Sequence, residues 1–243
     1  MPIIKVNAID STNSYLRRLS VEKNMEDYTT IVAEYQTNGR GQMGTVWESE
    51  ESKNLTFSVF KDVSAVYIEH PFYISIVTSL SILKALQSFN IPKLSVKWPN
   101  DILSANKKIC GVLIENVIKQ NNLYASIIGV GLNVNQTGFY NLPQASSLKA
   151  VTGQVFNLEE VLNSILFYLK SYFLELESGN LSVLKEEYET YLFRKNKPST
   201  FKDAKGVVFS GFIKAISVSG NLQVLLEDNI IKEYDLKDIS LLY

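Results

Sequence analysis

A mixed α/β domain followed by a small β unit is implied by the order of patterns along these 243 residues. Strand-like runs alternate with helical stretches up to about residue 195, and two long apolar-periodic helices close that part. From Pro198 the chain changes to short β runs punctuated by turn residues. The expected division is therefore residues 1–195 and 196–243.

The elements follow in order. Asp10-Ser11-Thr12-Asn13 offers favoured N-cap types before a short helix ending near Leu19. Thr30 to Tyr35 is an apolar strand, and Leu55 to Phe60 a second. Between Tyr73 and Phe89, Ile76, Val77, Leu80, Leu83 and Leu86 fall at helical spacing, which predicts a core-facing helix. Ser95-Val96-Lys97 reads as a short strand ended by the turn Trp98-Pro99-Asn100-Asp101. Lys108–Ile118 and Leu123–Val134 form a hairpin about a polar turn. Helices are expected over Leu158–Glu177 and Leu181–Phe193, split by Ser178-Gly179-Asn180. The tail runs 206–209, 212–216, 222–226 and 230–234 predict a small β-barrel, too small to be robust alone.

Bulk properties narrow the function. Hydrophobic content of 46% with 20% charged residues suits a packed core rather than disorder. A net charge of −1 gives no global field to attract nucleic acid or an anionic membrane, so neither is an expected partner. Cys110 is the only cysteine, which excludes an internal disulfide and suits a reducing, cytoplasmic setting. No apolar run approaches the roughly 18–20 residues that span a bilayer. His70 is the sole histidine and reads as a helix-start residue. Apolar strand edges allow a homodimer without requiring one.

The most informative segment is Gly39-Arg40-Gly41-Gln42-Met43-Gly44, directly after a strand. Such a loop lets backbone amides approach an anion, and arginine adds a fork of donors. Its Gly-x-Gly-x-x-Gly spacing also fits a dinucleotide fingerprint. That motif needs a helix starting at the glycines. The polar stretch Thr45 to Asn54 instead predicts strand, long loop, strand. Four further segments carry polar groups at strand ends: Asp10–Asn13 with Gln36, Lys97–Asp101, Lys107–Gly111, and Gly129–Asn135. Taken singly, each has an ordinary structural explanation: a helix cap, a turn, a solvated lysine pair, a bulge.

In this order, the segments Asp10-Ser11-Thr12-Asn13, Glu34-Tyr35-Gln36 with Gly39-Arg40-Gly41 and Trp47, Lys97-Trp98-Pro99-Asn100-Asp101, Lys108 to Glu115, and Gly129 to Asn135 resemble the motif series of biotin protein ligases. The resemblance implies a catalytic domain similar to class II aminoacyl-tRNA synthetases, followed by an SH3-like barrel. It implies biotin and MgATP as reactants, biotinyl-5′-AMP as intermediate, and a lysine of a biotin carboxyl carrier domain as acceptor. Lys108 and Arg40 take the catalytic positions. Ser11, Thr12, Asn13, Gln36, Arg40, Gly41, Gln42, Lys108 and Gly111 take the biotin positions. Gly39, Gly44, Trp47, Lys97, Asn100, Asp101 and Asn133 take the nucleotide positions, with Asp101 as the candidate Mg²⁺ ligand. Gln42 and Thr45 stand where the family pattern has further arginines, so the loop carries less charge. The stretch Asp238–Leu242 lacks the basic residue common near the barrel's end, and no nucleotide contact is assigned to it. Only nine residues precede the Asp10 motif, so a ligase without a DNA-binding domain is expected. Lipoate–protein ligases are the nearest alternative, but their signature of consecutive glycines followed by His-Asp is absent. A non-catalytic binding module is a third reading.

Overall fold

The computed structural model describes residues 1–22, 24–64, 70–140 and 142–243. Strands β1 (Ile3–Ile9), β2 (Thr30–Gln36), β3 (Leu55–Asp62), β4 (Leu94–Lys97), β5 (Asp101–Ser104), β6 (Lys107–Lys119) and β7 (Asn122–Leu132) form one mixed sheet. Their order is β1-β2-β3-β7-β6-β5-β4, with β1 parallel to β2 and the other pairs antiparallel. The β6–β7 hairpin turns at Gln120 and Asn121, both at positive φ, as a twist-matched two-residue turn requires.

Helix α1 (Thr12–Glu22) covers one face of the sheet, where Leu16 packs with Ile31, Phe60, Ala125 and Ile127. On the other side lie α2 (Phe72–Ser88), α4 (Leu158–Glu177) and α5 (Leu181–Thr190), while a short α3 (Leu148–Thr152) follows the sheet. Helix α2 is buried nearly all round. It tolerates Thr78 and Ser81 because each hydroxyl bonds the carbonyl four residues back. Helix α4 starts on Asn157, whose side chain accepts from the Glu159 and Glu160 amides.

The C-terminal unit is a second antiparallel sheet, ordered β11-β10-β9-β8-β12. Its strands are β8 (Pro198–Asp203), β9 (Val208–Ile216), β10 (Leu222–Leu225), β11 (Ile231–Tyr234) and β12 (Ile239–Leu242). Runs 206–209 and 212–216, read separately from sequence, are largely one strand, β9. Helix α5 also stops at Thr190, three residues short of the expected Phe193.

The barrel is firmly seated. Its Phe201, Ile213, Ile216, Leu222 and Val224 belong to the same hydrophobic cluster as α2 and α4. Trp98 donates from its indole N–H to the Gly220 carbonyl at 2.9 Å, so the ring of the Trp-Pro-Asn-Asp turn anchors the barrel. Glu189 of α5 accepts from the Ile216 amide at 3.0 Å and pairs with Lys185 at 2.9 Å and Lys195 at 3.2 Å. Burial alone would raise the Glu189 carboxyl pKa, but the Ile216 amide and the two ammoniums outweigh it and hold the pKa below the ordinary glutamate value. A depressed folded pKa contributes stability above the unfolded value, which is lost as pH falls through the folded one. We expect the melting-temperature gap between wild type and Glu189→Gln to be largest near neutral pH. The gap should shrink as pH falls below the ordinary glutamate range, about 4.3, and close once the pH passes the lower folded-state value; an equal gap at pH 3 and pH 7 would remove the ionic contribution.

Candidate functional site

A cavity of about 740 Å³ opens on the α1 face of the sheet. Its floor follows from strand register. Across β3, β7, β6 and β5 the residues Thr56, Gly131, Gly111 and Asp101 lie in one row, and Ser58, Gly129 and Leu113 lie in the next. Three glycines at period-two positions clear a slot on one face. The space is needed: a Cβ on Gly129 would overlap the Asn13 amide, and one on Gly131 would overlap the Trp47 indole. Trp47 therefore lies over Gly131 and Gly111, nearer the predicted biotin residues than a free loop position would place it. Its indole N–H is buried without a partner.

One end of the slot is polar. Thr12 donates from its amide at 2.8 Å and its hydroxyl at 3.1 Å to Gln36 Oε1, leaving the Gln36 NH₂ as the donor for a ligand carbonyl. Ser58 lies 2.7 Å from Thr12 Oγ1 and donates to Asn13 Oδ1 at 2.5 Å. Asn13 donates in turn to Glu115 Oε2 at 2.9 Å and the Leu113 carbonyl at 3.2 Å. Both ends of the Asn13 amide are thus engaged inside the protein, which gives it a positioning role. Ser11, Thr12, Gln36, Arg40, Gly41, Gln42 and Gly111 line the cavity as the motif reading anticipates.

The opposite end is cationic. Lys108 Nζ lies 2.6 Å from Asp101 Oδ1, a close ion pair whose angle is off that of a directional hydrogen bond. Lys97 Nζ is 3.7 Å from Asp101 Oδ2 and 5.0 Å from the centre of the Tyr243 ring. Lys108 also lies 5.7 Å from the Trp47 ring centre. Its backbone is pinned by the 2.7 Å bond to the Gln144 carbonyl and the 2.9 Å bond from the Ser146 amide.

Several expectations change. Gly39 and Gly44 do not line the cavity: Gly39 is buried beneath the loop and accepts from the Trp47 amide, and Gly44 is exposed at φ +78°. Asn100 and Asn133 reach the cavity wall, but their NH₂ groups hold the Val112 and Ser146 carbonyls, so their first task is to fix the turn and strand end. Asp101 is a poor metal ligand here, a single carboxylate balanced by two ammoniums. The described residues hold no cluster of three or more metal-ligating groups. The barrel end, to which no contact was assigned, forms a wall through Ser240, Leu241 and Tyr243. Ser58, Glu115 and Tyr243 were missed as site residues. For Glu115 and Ser58 the available signal was their period-two spacing from Gly111 and Thr56. The glycine loop runs through a single 3-10 turn at Gln42–Gly44, not into a helix, as the rejection of the dinucleotide reading required.

No helix among the described residues is long and apolar enough to cross a membrane. The sequence model of the biotin/lipoate A/B protein ligase family matches residues 6–133. The bifunctional ligase/repressor BirA of Bacillus spizizenii is 26% identical over 230 residues, covering 93% of this chain and 69% of that protein. The biotin–[acetyl-CoA-carboxylase] ligase of Mycobacterium tuberculosis is 31% identical over 141 residues, 57% of this chain and 51% of that protein. Among solved structures, the Aquifex aeolicus biotin protein ligase in complex with biotin and ATP superposes with a TM-score of 0.83 at 28% identity, covering 99% of this chain and 98% of that one. With more than half its length matched by the family and a cavity built from the family's motifs, the chain belongs to the biotin/lipoate A/B protein ligases.

Proposed function

We infer that the chain is a biotin protein ligase, which activates biotin with ATP and transfers the biotinyl group to a protein lysine. The supporting observation is one cavity with a neutral hydrogen-bonding end at Thr12 and Gln36 and a cationic end at Lys97 and Lys108. Biotin's ureido ring presents two N–H donors and a carbonyl. Burying it unmatched costs roughly 1–3 kcal/mol per group. Gln36 NH₂ suits the carbonyl, and the Ser11 and Thr12 hydroxyls suit the N–H groups. The glycine-cleared slot takes the apolar bicycle against Trp47.

In the first step a biotin carboxylate oxygen bonds to the α-phosphorus, the bond to the bridging oxygen breaks, and pyrophosphate leaves. Negative charge builds on the phosphoryl oxygens where Lys108 stands, and a fixed cation there stabilises the transition state. Arg40 reaches the rim from the loop. In the second step a lysine amine attacks the acyl carbon of the anhydride, AMP leaves, and an amide remains. Asp101 does not fit a resident metal site, so the divalent ion is taken as part of the MgATP substrate. The acceptor we propose is a carrier domain of a biotin-dependent carboxylase, in keeping with the name of the M. tuberculosis relative. The buried free thiol of Cys110 suits a reducing compartment such as the cytoplasm.

The test is biotin-dependent exchange of pyrophosphate into ATP, followed by transfer to a carrier domain with biotin and lipoate in competition. Exchange with biotin and preferred biotinylation are expected; preferred lipoylation would overturn the substrate assignment, and binding without exchange the enzymatic one. Gly41→Val supplies a second check. A side chain there meets Thr45, whose carbonyl already accepts the Gly41 amide at 2.7 Å. The loop should shift and biotin binding weaken about tenfold or more, the cost of losing one or two hydrogen bonds. The melting temperature should stay within a few degrees, because the loop lies outside the core.

A further inference from the structure

We propose that Tyr243, at the end of the barrel, is a positioning residue that aims the Lys97 ammonium at the incoming nucleotide phosphates; this rests on the biotin-ligase reading above. Lys97 closes β4, and its cation is loosely paired. Its Nζ lies 3.7 Å from Asp101 Oδ2, while Lys108 holds Oδ1 of the same carboxylate at 2.6 Å. Two ammoniums thus share one carboxylate, and Lys97 has the longer arm. On a flexible four-carbon stem, so long an ion pair restrains the charge weakly and does not set its direction. The Tyr243 ring supplies that direction. Lys97 Nζ lies 5.0 Å from the ring centre, within the range in which a ring face attracts an ammonium. The ring is itself held. Phe193 meets it edge-on at 5.2 Å between centres, and the Phe193 amide bonds the Val96 carbonyl at 2.8 Å, one residue before Lys97. On the barrel side, the neighbouring Leu242 pairs with Thr200 of β8.

Lys97 and Tyr243 both line the cavity, at its cationic end. A second carboxylate beside Lys97 would also fix it, but would cancel its charge and repel phosphates arriving within a few ångströms. A neutral ring attracts the ammonium through its quadrupole and leaves the positive charge intact. Burial, reinforced by Asp101 nearby, holds the Tyr243 hydroxyl above the ordinary phenol pKa, so the ring stays neutral at neutral pH. Residues 238–243 bring no cation of their own. The barrel therefore acts on the nucleotide through Lys97, and ATP affinity becomes a joint property of the two units. Tyr243 stands at the opposite end from Thr12 and Gln36, so biotin affinity should not depend on it.

The test compares Tyr243→Leu with Tyr243→Phe in the full chain. In biotin-dependent pyrophosphate exchange, Tyr243→Leu should raise KM for ATP about three- to tenfold, the scale of one partly exposed cation–π contact, while kcat and KM for biotin stay within about twofold. Tyr243→Phe keeps the ring face and should return KM for ATP to about the wild-type value. Equal rises in both KM values together with a lower melting temperature would mean general damage to the barrel and defeat the proposal. A double variant separates the two things a ring can do there. In a Lys97→Gln background, Tyr243→Leu should change KM for ATP by less than about twofold. The same rise in both backgrounds would show that the ring meets the nucleotide directly, and would end the positioning role. Acetic-anhydride labelling of the ligand-free protein, read by peptide mass spectrometry, needs no activity. Lys97 should label about threefold faster in Tyr243→Leu than in wild type or Tyr243→Phe, measured against the exposed Lys170 of α4; an unchanged rate would overturn the proposal. If wild type shows no biotin-dependent exchange, the ligase reading fails, whereas the labelling comparison still decides whether Tyr243 holds Lys97.

Discussion

Replacing Lys108 by alanine is expected to cut biotinyl-adenylate formation by about 10²–10³-fold, the effect of removing one preformed stabiliser of transition-state charge. The residue is placed for that task. Its backbone is clamped on both sides by the 144–146 segment, and a register shift in the β5–β6 pairing beside it sets its direction. Its ammonium lies between Asp101 and the face of Trp47. Asp101 fixes the cation without removing its charge, and the 34% exposed side chain leaves access for an incoming phosphate. The alanine variant leaves Asp101 with Lys97 at 3.7 Å, so the carboxylate keeps a counter-charge and the fold should survive. Biotin-dependent pyrophosphate exchange at saturating substrate is the measurement, with biotin affinity by calorimetry alongside. A kcat within threefold of wild type, with the protein folded, would remove Lys108 from the chemistry.

Gly220→Val should be the most damaging single change far from the motifs. Gly220 has φ +94°, a conformation a β-branched residue resists. A Cβ there would also run into the Phe72 ring at the start of α2. Strained backbone costs about 1–3 kcal/mol, and steric overpacking adds about 1–3 kcal/mol. At about 2–4 °C per kcal/mol for a chain of this size, the melting temperature should fall by roughly 4–24 °C. Function should suffer selectively. The carbonyl of Gly220 holds Trp98 in the turn that carries Lys97 and Asp101, and the barrel supplies the Tyr243 wall. KM for ATP should therefore rise more than KM for biotin. A shift under 2 °C with unchanged ATP dependence would show that this turn does not seat the barrel.

Sequence patterns reveal the elements whose burial is one-sided and local. Helix α4 was legible to the residue, and the β6–β7 hairpin nearly so, because apolar periodicity and a polar turn act within a short window. Strand β1 was missed because it lies at the sheet edge with mostly exposed residues. Strands β5, β8 and β12 were missed because each is short, and β12 besides has its partner β8 some 40 residues away. Likewise, the site's membership was largely legible and its bonding was not. Motifs placed Ser11, Gln36, Arg40 and Lys108 around one cavity. No sequence pattern shows that Asn100 and Asn133 use their amides on backbone carbonyls, or that Asn13 is held on both sides by Ser58 and Glu115. Those roles depend on which atoms meet across strands far apart in the chain.

The unbroken packing between α2, α4 and the barrel governs how the molecule comes apart. Because Phe201, Ile213 and Leu222 share one apolar interior with the helices, heating has no weak seam along which to shed the small sheet first. Loss of the barrel and loss of catalysis should coincide in one calorimetric peak, and swapping in a foreign barrel would mean redesigning the helices beneath it.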